Sequence, residues 1–328
     1  MFNLIRMNLF RMIHTKGVIV VFILLMGFSV ISGCISAYDS IEMAKEIKEQ
    51  REAGEEEGVR ELSKQKEEEI KQKAAMEEAA KKEAEDNKED NAAYEAGYEF
   101  GEQVSGSVGI YVNTPVDSNG NLKDYVFVYC SELSGGFLLL FILIGAVLFF
   151  RGDEKDGFLK NIAGQTKYRH NIFFARLIAV GIYTFACMVC YMFVEYFAFK
   201  IGFIMDGSIN FGIKYLPEAI KIFALQYLLH MAFISGLLLI TEVSRSTAAG
   251  LTIGLLGVMG FGMLFARIIQ KVFHTDFDLN KYYINTNISH VNMGAAHNTI
   301  ISALGIGIVF FILYNVLNVL WFSRRDII

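Results

Sequence analysis

Glu195 is the one carboxylate set inside an apolar run of this sequence, between Met192-Phe193-Val194 and Tyr196-Phe197-Ala198. A carboxyl group there either snorkels to the lipid headgroups or faces a central cavity and meets a base such as Arg267. Gln226 and His230 lie four apart and Asn315 and Asn318 three apart, so each pair shares one helix face. Such groups either hydrogen-bond between helices or line a polar translocation path. Gly250, Gly254 and Gly257 put small residues along another face, for close helix packing or for a dimer seam. Cys34 and Cys130 form a candidate disulfide, while Cys187 and Cys190 are read as small apolar packing residues. No His/Cys cluster has zinc spacing. Gly152 and Gly157 have the glycine spacing of a phosphate-binding loop, but Phe158 stands where that loop needs lysine. HExxH and GxSxG are absent as well, so the familiar metallo- and serine-hydrolase signatures are missing. No catalytic residue, metal ligand or cofactor site is assigned to this chain.

These residues must be positioned by helices in lipid. Hydrophobic residues make up 53% of the 328, with only 2 prolines. Six stretches reach or approach the roughly 20 apolar residues that cross a bilayer core. They are 17–37, 131–150, 176–199, 219–241, 247–267 and 299–322, the second being the weakest. The expected fold class is an all-α polytopic membrane protein with six transmembrane helices and both termini on one side. Short loops decide which side, since long ones translocate largely regardless of charge. With the termini cytoplasmic, twelve Lys/Arg, Arg151 and Arg176 among them, fall inside and six in the short outer loops. The expected location is therefore a cell membrane, with both termini in the cytoplasm.

Charge divides the chain. Residues 37–134 hold 25 acidic and 12 basic residues, whereas the rest holds 10 and 18. The acidic part cannot lie in hydrocarbon and is expected outside the cell, as a charged helical insertion at 38–130 between helices 1 and 2. From Ile41 to about Tyr98 it is rich in Glu, Lys and Ala, with Glu four residues before a base at Glu67/Lys71 and Glu78/Lys82. A solvated helix over 59–86 is expected, either as a polar spacer or as a capture arm. Ile110-Tyr111-Val112 and Tyr125 to Tyr129 around Asp117-Ser118-Asn119-Gly120 predict a hairpin returning the chain to the membrane. At the other end, Phe2, Ile5, Leu9 and Met12 fall at helical spacing among Arg6, Arg11 and Lys16, as in an interfacial helix. Ile31-Ser32-Gly33-Cys34 looks like a lipoprotein cleavage box, but the amphipathic stretch before the apolar run favours a retained first span within a unit 1–37.

The loop 151–175 carries the strongest signal. Asp156-Gly157-Phe158-Leu159-Lys160-Asn161-Ile162 and then Lys167-Tyr168-Arg169 alternate charge with apolar residues, which suits either an amphipathic surface helix or an ordinary basic inner loop. This stretch resembles the inner loop of ABC-2 type exporter permeases. Met1 to Lys16 resembles the elbow helix of that family, and Phe322-Ser323-Arg324-Arg325-Asp326 its basic ending. The charged insertion is longer than in many such permeases. The resemblance implies a transmembrane subunit without nucleotide-binding motifs, with ATP and Mg held by separate nucleotide-binding ATPase subunits. It also implies a second permease copy or paralogue as partner, in contact with membrane lipids and with no nucleic acid. Asp156, Gly157, Phe158, Leu159, Asn161 and Ile162 would then be the ATPase-coupling contact, and 268–298 would form short re-entrant helices capping the outer side of 131–328. A non-transporting anchor or sensor displaying the charged arm is the alternative. An ion-coupled carrier would want more buried titratable groups than Glu195.

Overall fold

A computed structural model of the chain describes residues 2–52, 130, 133, 136–155, 157, 162, 169–205, 216–273, 279–292 and 297–324. It is built from helices: α1 (Phe2–His14), α2 (Lys16–Glu52), α3 (Gly136–Lys155), α4 (His170–Met205), α5 (Leu216–Ser244), α6 (Thr247–Val258), α7 (Phe261–Phe273), a 3-10 turn (Leu279–Tyr282), α8 (Ile284–His290) and α9 (His297–Arg324). Among the described residues there is no strand. The hairpin expected at 110–129 and the helix expected at 59–86 lie outside them, although α2 runs on past its apolar part to Glu52.

Among the described residues, four helical stretches are long and apolar enough to cross a membrane: Lys16–Asp39, His170–Ile201, Leu216–Ser244 and His297–Arg324. Among the described residues the chain is thus all-helical, with membrane-spanning character. Gly136–Gly152 is apolar but shorter. The stretch 247–267, expected as a span, is broken: α6 and α7 meet at an 80° bend. Gly260 makes that turn at φ +83°, in the left-handed region that favours glycine. With 12 residues, α6 reaches about 18 Å at 1.5 Å per residue, short of a bilayer core.

Helices α3, α4 and α5 form the centre. Helix α2 packs on α3 and α4, α6 on α3 and α5, α9 on α5 and α4, α8 on α5, and α1 on α4. Apolar side chains face outward on α2 and α9, with Ile23 and Val309 each 61% exposed. In water such a surface is a liability, but lipid tails are as apolar as leucine and remove the penalty. Helix α1 turns Asn8 and Met12 inward and Phe2, Phe10 and Ile13 outward, the arrangement of a helix lying in an interface.

Aromatic packing shows which helix ends meet. Phe150 near the end of α3 lies 6.4 Å from Phe173 near the start of α4, and Phe173 lies 6.2 Å from Phe322 near the end of α9. Leu148 near the end of α3 reaches Gly17 at the start of α2. Helices α2, α3, α4 and α5 therefore alternate direction, α9 runs parallel to α5 with Gly307 against Leu228 and Tyr314 against Gly236, and all share one aromatic end.

Candidate functional site

At the aromatic end, α4 begins and α5 stops with opposite charges fully inside the bundle. Arg176 is 0% exposed and Glu242 2%. The Arg176 guanidinium donates through Nη1 to Glu242 Oε1 at 3.1 Å and through Nη2 to the carbonyl oxygen of Phe150 on α3. Its Cζ also sits 4.0 Å over the Phe150 ring. One planar cation thus joins three helices by charge, hydrogen bond and ring face, which a lysine could not do. Two buried charges are tolerable only as a pair, because desolvation costs several kcal/mol per ion.

Local sequence sets up this geometry. Helix α5 ends with Arg245 in the left-handed conformation, φ 53°. Ser246 immediately starts α6 by accepting the Ala249 N–H at 3.2 Å. The tight α5–α6 turn presents the Arg245 carbonyl, which accepts from Arg151 Nη2 on α3. The segment between α3 and α4 is therefore tied down at both ends, by Arg151 on one side and Arg176 on the other. Within it, Gly157 adopts φ +68° with open space where a Cβ would stand. Ile162 is buried in the same cluster as Met12, Phe149, Phe150, Phe173 and Phe322. Asp156, Phe158, Leu159 and Asn161 lie outside the described residues.

Sequence reasoning missed the clasp. It counted Arg176 among inner-loop charges and stopped the fourth span at residue 241, one short of Glu242. The signal was available: an arginine starting one span and a glutamate ending the next must lie side by side if the two helices are antiparallel neighbours.

The residues proposed for a translocation path fall into three seams. Gln226 and His230 are fully buried on α5. Gln226 Nε2 donates to the carbonyls of Ile288 at 2.9 Å and Val291 at 3.1 Å, holding the end of α8. The His230 ring meets the Gln226 carbonyl through Nδ1 at 2.8 Å. Asn315 and Asn318 lie in the α5–α9 seam, bonded to the Ser235 hydroxyl at 3.1 Å and the Ser235 carbonyl at 3.0 Å. Nine residues of helix turn Ser235 about half a revolution from Gln226, so the two groups face opposite ways. Glu195 belongs to the α2–α4 seam, hydrogen-bonded by Tyr191 and by Ser32 of α2. The side chain of Arg267 lies outside the described residues.

The broken fifth span is stitched by the segment that follows it. Tyr283 Oη donates to the Gly257 carbonyl at 2.6 Å and Asn285 Nδ2 to the Val258 carbonyl at 3.2 Å. The Val258 carbonyl is an acceptor that α6 leaves open where it bends, and the Gly257 carbonyl accepts the Gly260 N–H as well. Irregular backbone among membrane helices is tolerated where protein groups satisfy it in this way.

The glycine face is used up inside the chain. A Cβ on Gly250 would strike Thr241, one on Gly254 would come 2.5 Å from Leu143 Cδ1, and one on Gly257 would come 2.9 Å from Phe233. These glycines seat α6 on α3 and α5, the close helix packing that their spacing suggests. No disulfide joins Cys34, which is exposed, to Cys130, which is buried. Among the described residues no three His, Cys, Asp or Glu gather to hold a metal.

Gly33 marks the closest approach of α2 to α4, where an added Cβ would come 2.8 Å from Ala198 Cβ and 3.3 Å from Glu195 Cα. Backbone cannot give as a side-chain tip can. Gly33→Leu is expected to destabilise the protein by about 1–3 kcal/mol through overpacking, read as a lower melting temperature in detergent. A wild-type melting curve would show that α2 is not held at this depth.

No protein-family model matches this chain, and neither a curated protein nor a solved structure matches it.

Proposed function

We propose that the protein is the transmembrane permease subunit of an ATP-driven exporter. In this reading α3 and the bent α6–α7 pair complete six passes, both termini and the aromatic end lie in the cytoplasm, and the acidic insertion lies outside the cell. The observation that carries it is the seating of the α3–α4 segment. Ile162 folds into the core at the aromatic end, and Arg151 and Arg176 tie the flanks of the segment to neighbouring helices. A protein pressing on this segment would press on the bundle itself.

ATP and Mg would be bound by two separate ATPase subunits, and a second copy or a related permease would supply the other membrane half. The resemblance of 156–162 to the coupling loops of ABC-2 type permeases and the interfacial placement of α1 support the same assignment. The cargo fits an amphipathic or apolar molecule, such as an antimicrobial peptide, drug or lipid. Among the described residues the one buried carboxylate is Glu242, already paired, and the half-buried Glu195 is held between two helices.

Charge reversal across 156–162 is expected to abolish stimulation of a co-purified ATPase while leaving membrane insertion intact. Measuring ATP turnover with and without the variant permease decides this. Full stimulation by the reversed loop, or the absence of any ATPase partner for the wild-type protein, would overturn the proposal.

A further inference from the structure

Helix α5 carries two hydrogen-bonded fixtures that no sequence motif connects. Near one end Glu242 closes the clasp with Arg176. Sixteen residues earlier, about 24 Å along a straight helix, Gln226 holds the carbonyls at the end of α8. Helix α8 is short and polar, and Asn285, Thr286 and Asn287 are nevertheless almost fully buried. It is also attached to α6: Asn285 reaches Val258 and Tyr283 reaches Gly257, both at the bend. Helix α6 in turn hangs from α5 by the tight turn at Arg245–Ser246, whose carbonyl receives Arg151. The Gln226 amide and the α6 bonds of α8 thus lead back to the clasp, directly through α5 or through α6, while Asn287 ties it to the Lys281 carbonyl and α9 packs on it.

We infer that Arg176, Glu242 and Gln226 are positioning residues of one transmission line, in which the clasp at the aromatic end sets the seating of the buried polar segment 284–291. With the clasp closed, α5 is held against α3 and α4 at a fixed height and rotation, and the Gln226 amide stands opposite its two carbonyls. Releasing the clasp frees α5 to slide or turn. A shift of about 1 Å takes those bonds from 2.9 and 3.1 Å beyond hydrogen-bonding range. Packed interfaces of this kind have discrete arrangements, which lets a small displacement act at a distance. The inference rests on the permease reading for its purpose, since docking beside the clasp would then govern access to the pathway. The linkage itself rests on geometry.

The test uses the purified full-length protein in detergent and measures amide hydrogen exchange by mass spectrometry. Glu242→Gln keeps the side-chain size and removes the charge. Exchange across 284–291 is expected to quicken by about tenfold or more, while α2 residues 18–35 keep the wild-type rate. Unchanged exchange at 284–291 alongside faster exchange around Phe150 and Arg176 overturns the linkage, because the clasp would then act only locally. Faster exchange everywhere, α2 included, overturns it too, since that is general loosening. The double variant Arg176→Met/Glu242→Leu separates clasp from packing by filling the same space without charge. A folded double variant with rapid exchange at 284–291 supports the inference, and a return to the wild-type rate overturns it. No ATPase is needed for this measurement, so the permease reading and the transmission line can each fail alone.

Discussion

Replacing Arg176 by Met should cost the protein about 3–5 kcal/mol, whereas the pair Arg176→Met/Glu242→Leu should lie near the wild type. The asymmetry follows from burial. Removing only the guanidinium leaves Glu242 2% exposed with no cation at 3.1 Å. The carboxylate must then stay charged in a poor solvent, take up a proton, or drag water inward, and each alternative costs free energy. Phe150 also loses the donor to its carbonyl. Removing both charges deletes the desolvation cost along with the attraction, and Met and Leu recover much of the packing against the Phe150 and Phe173 rings. Denaturation midpoints of the two singles and the double, measured in one detergent, give the coupling energy directly. If the double variant fell as far as the sum of the singles, the two residues would be independent and the clasp would not exist as a unit.

The same clasp shows what was legible in the sequence and what was not. Apolar run length fixes the long helices reliably, because a bilayer demands about 20 such residues and few other structures do. The stretches 17–37, 176–199, 219–241 and 299–322 all fall within helices of spanning length. Run length fails for 247–267, which is as apolar as its neighbours yet bends by 80°. Composition reports the cost of exposing a segment to water and says nothing of the direction of its axis. The bend depends on Gly260 and on two distant donors, Tyr283 and Asn285, whose sequence separation from Gly257 and Val258 hides the pairing.

Polar spacing had the same limited power. Gln226 and His230 share a face of α5, as four-residue spacing requires, but their partners are main-chain carbonyls of α8 and α5 itself, which no residue type advertises. The glycines were legible as a packing face, and only the neighbours Thr241, Leu143 and Phe233 decide that the packing is internal. Arg176 was hardest of all, because a basic residue at the end of an apolar run reads as a topology signal. Only the antiparallel meeting of α4 with α5 reveals its carboxylate partner.

Gln226→Leu is expected to have the largest effect of any single change outside the clasp. The glutamine is fully buried and donates to two carbonyls, those of Ile288 and Val291, beyond the point where α8 can satisfy them by its own helix. Leucine fills a similar volume and donates nothing. Each buried acceptor left unpaired costs about 1–3 kcal/mol, so the two together rival the loss at Arg176. The location of the damage should differ, however. Loss of Arg176 unseats three helices at once, whereas loss of the Gln226 amide concerns α8 first, and α5 remains packed on α3, α4 and α9. Gln226→Leu should therefore leave the melting of the helical bundle only modestly lowered while 284–291 becomes accessible to protease and to thiol reagents at an introduced Ser289→Cys. Asn318→Leu is the fitting control, since it is also buried but makes one bond, to the Ser235 carbonyl, in the opposite seam of α5. It should spare 284–291. Equal exposure of that segment in both variants would mean that α8 is held by the general integrity of α5 and that the Gln226 amide has no particular part in seating it.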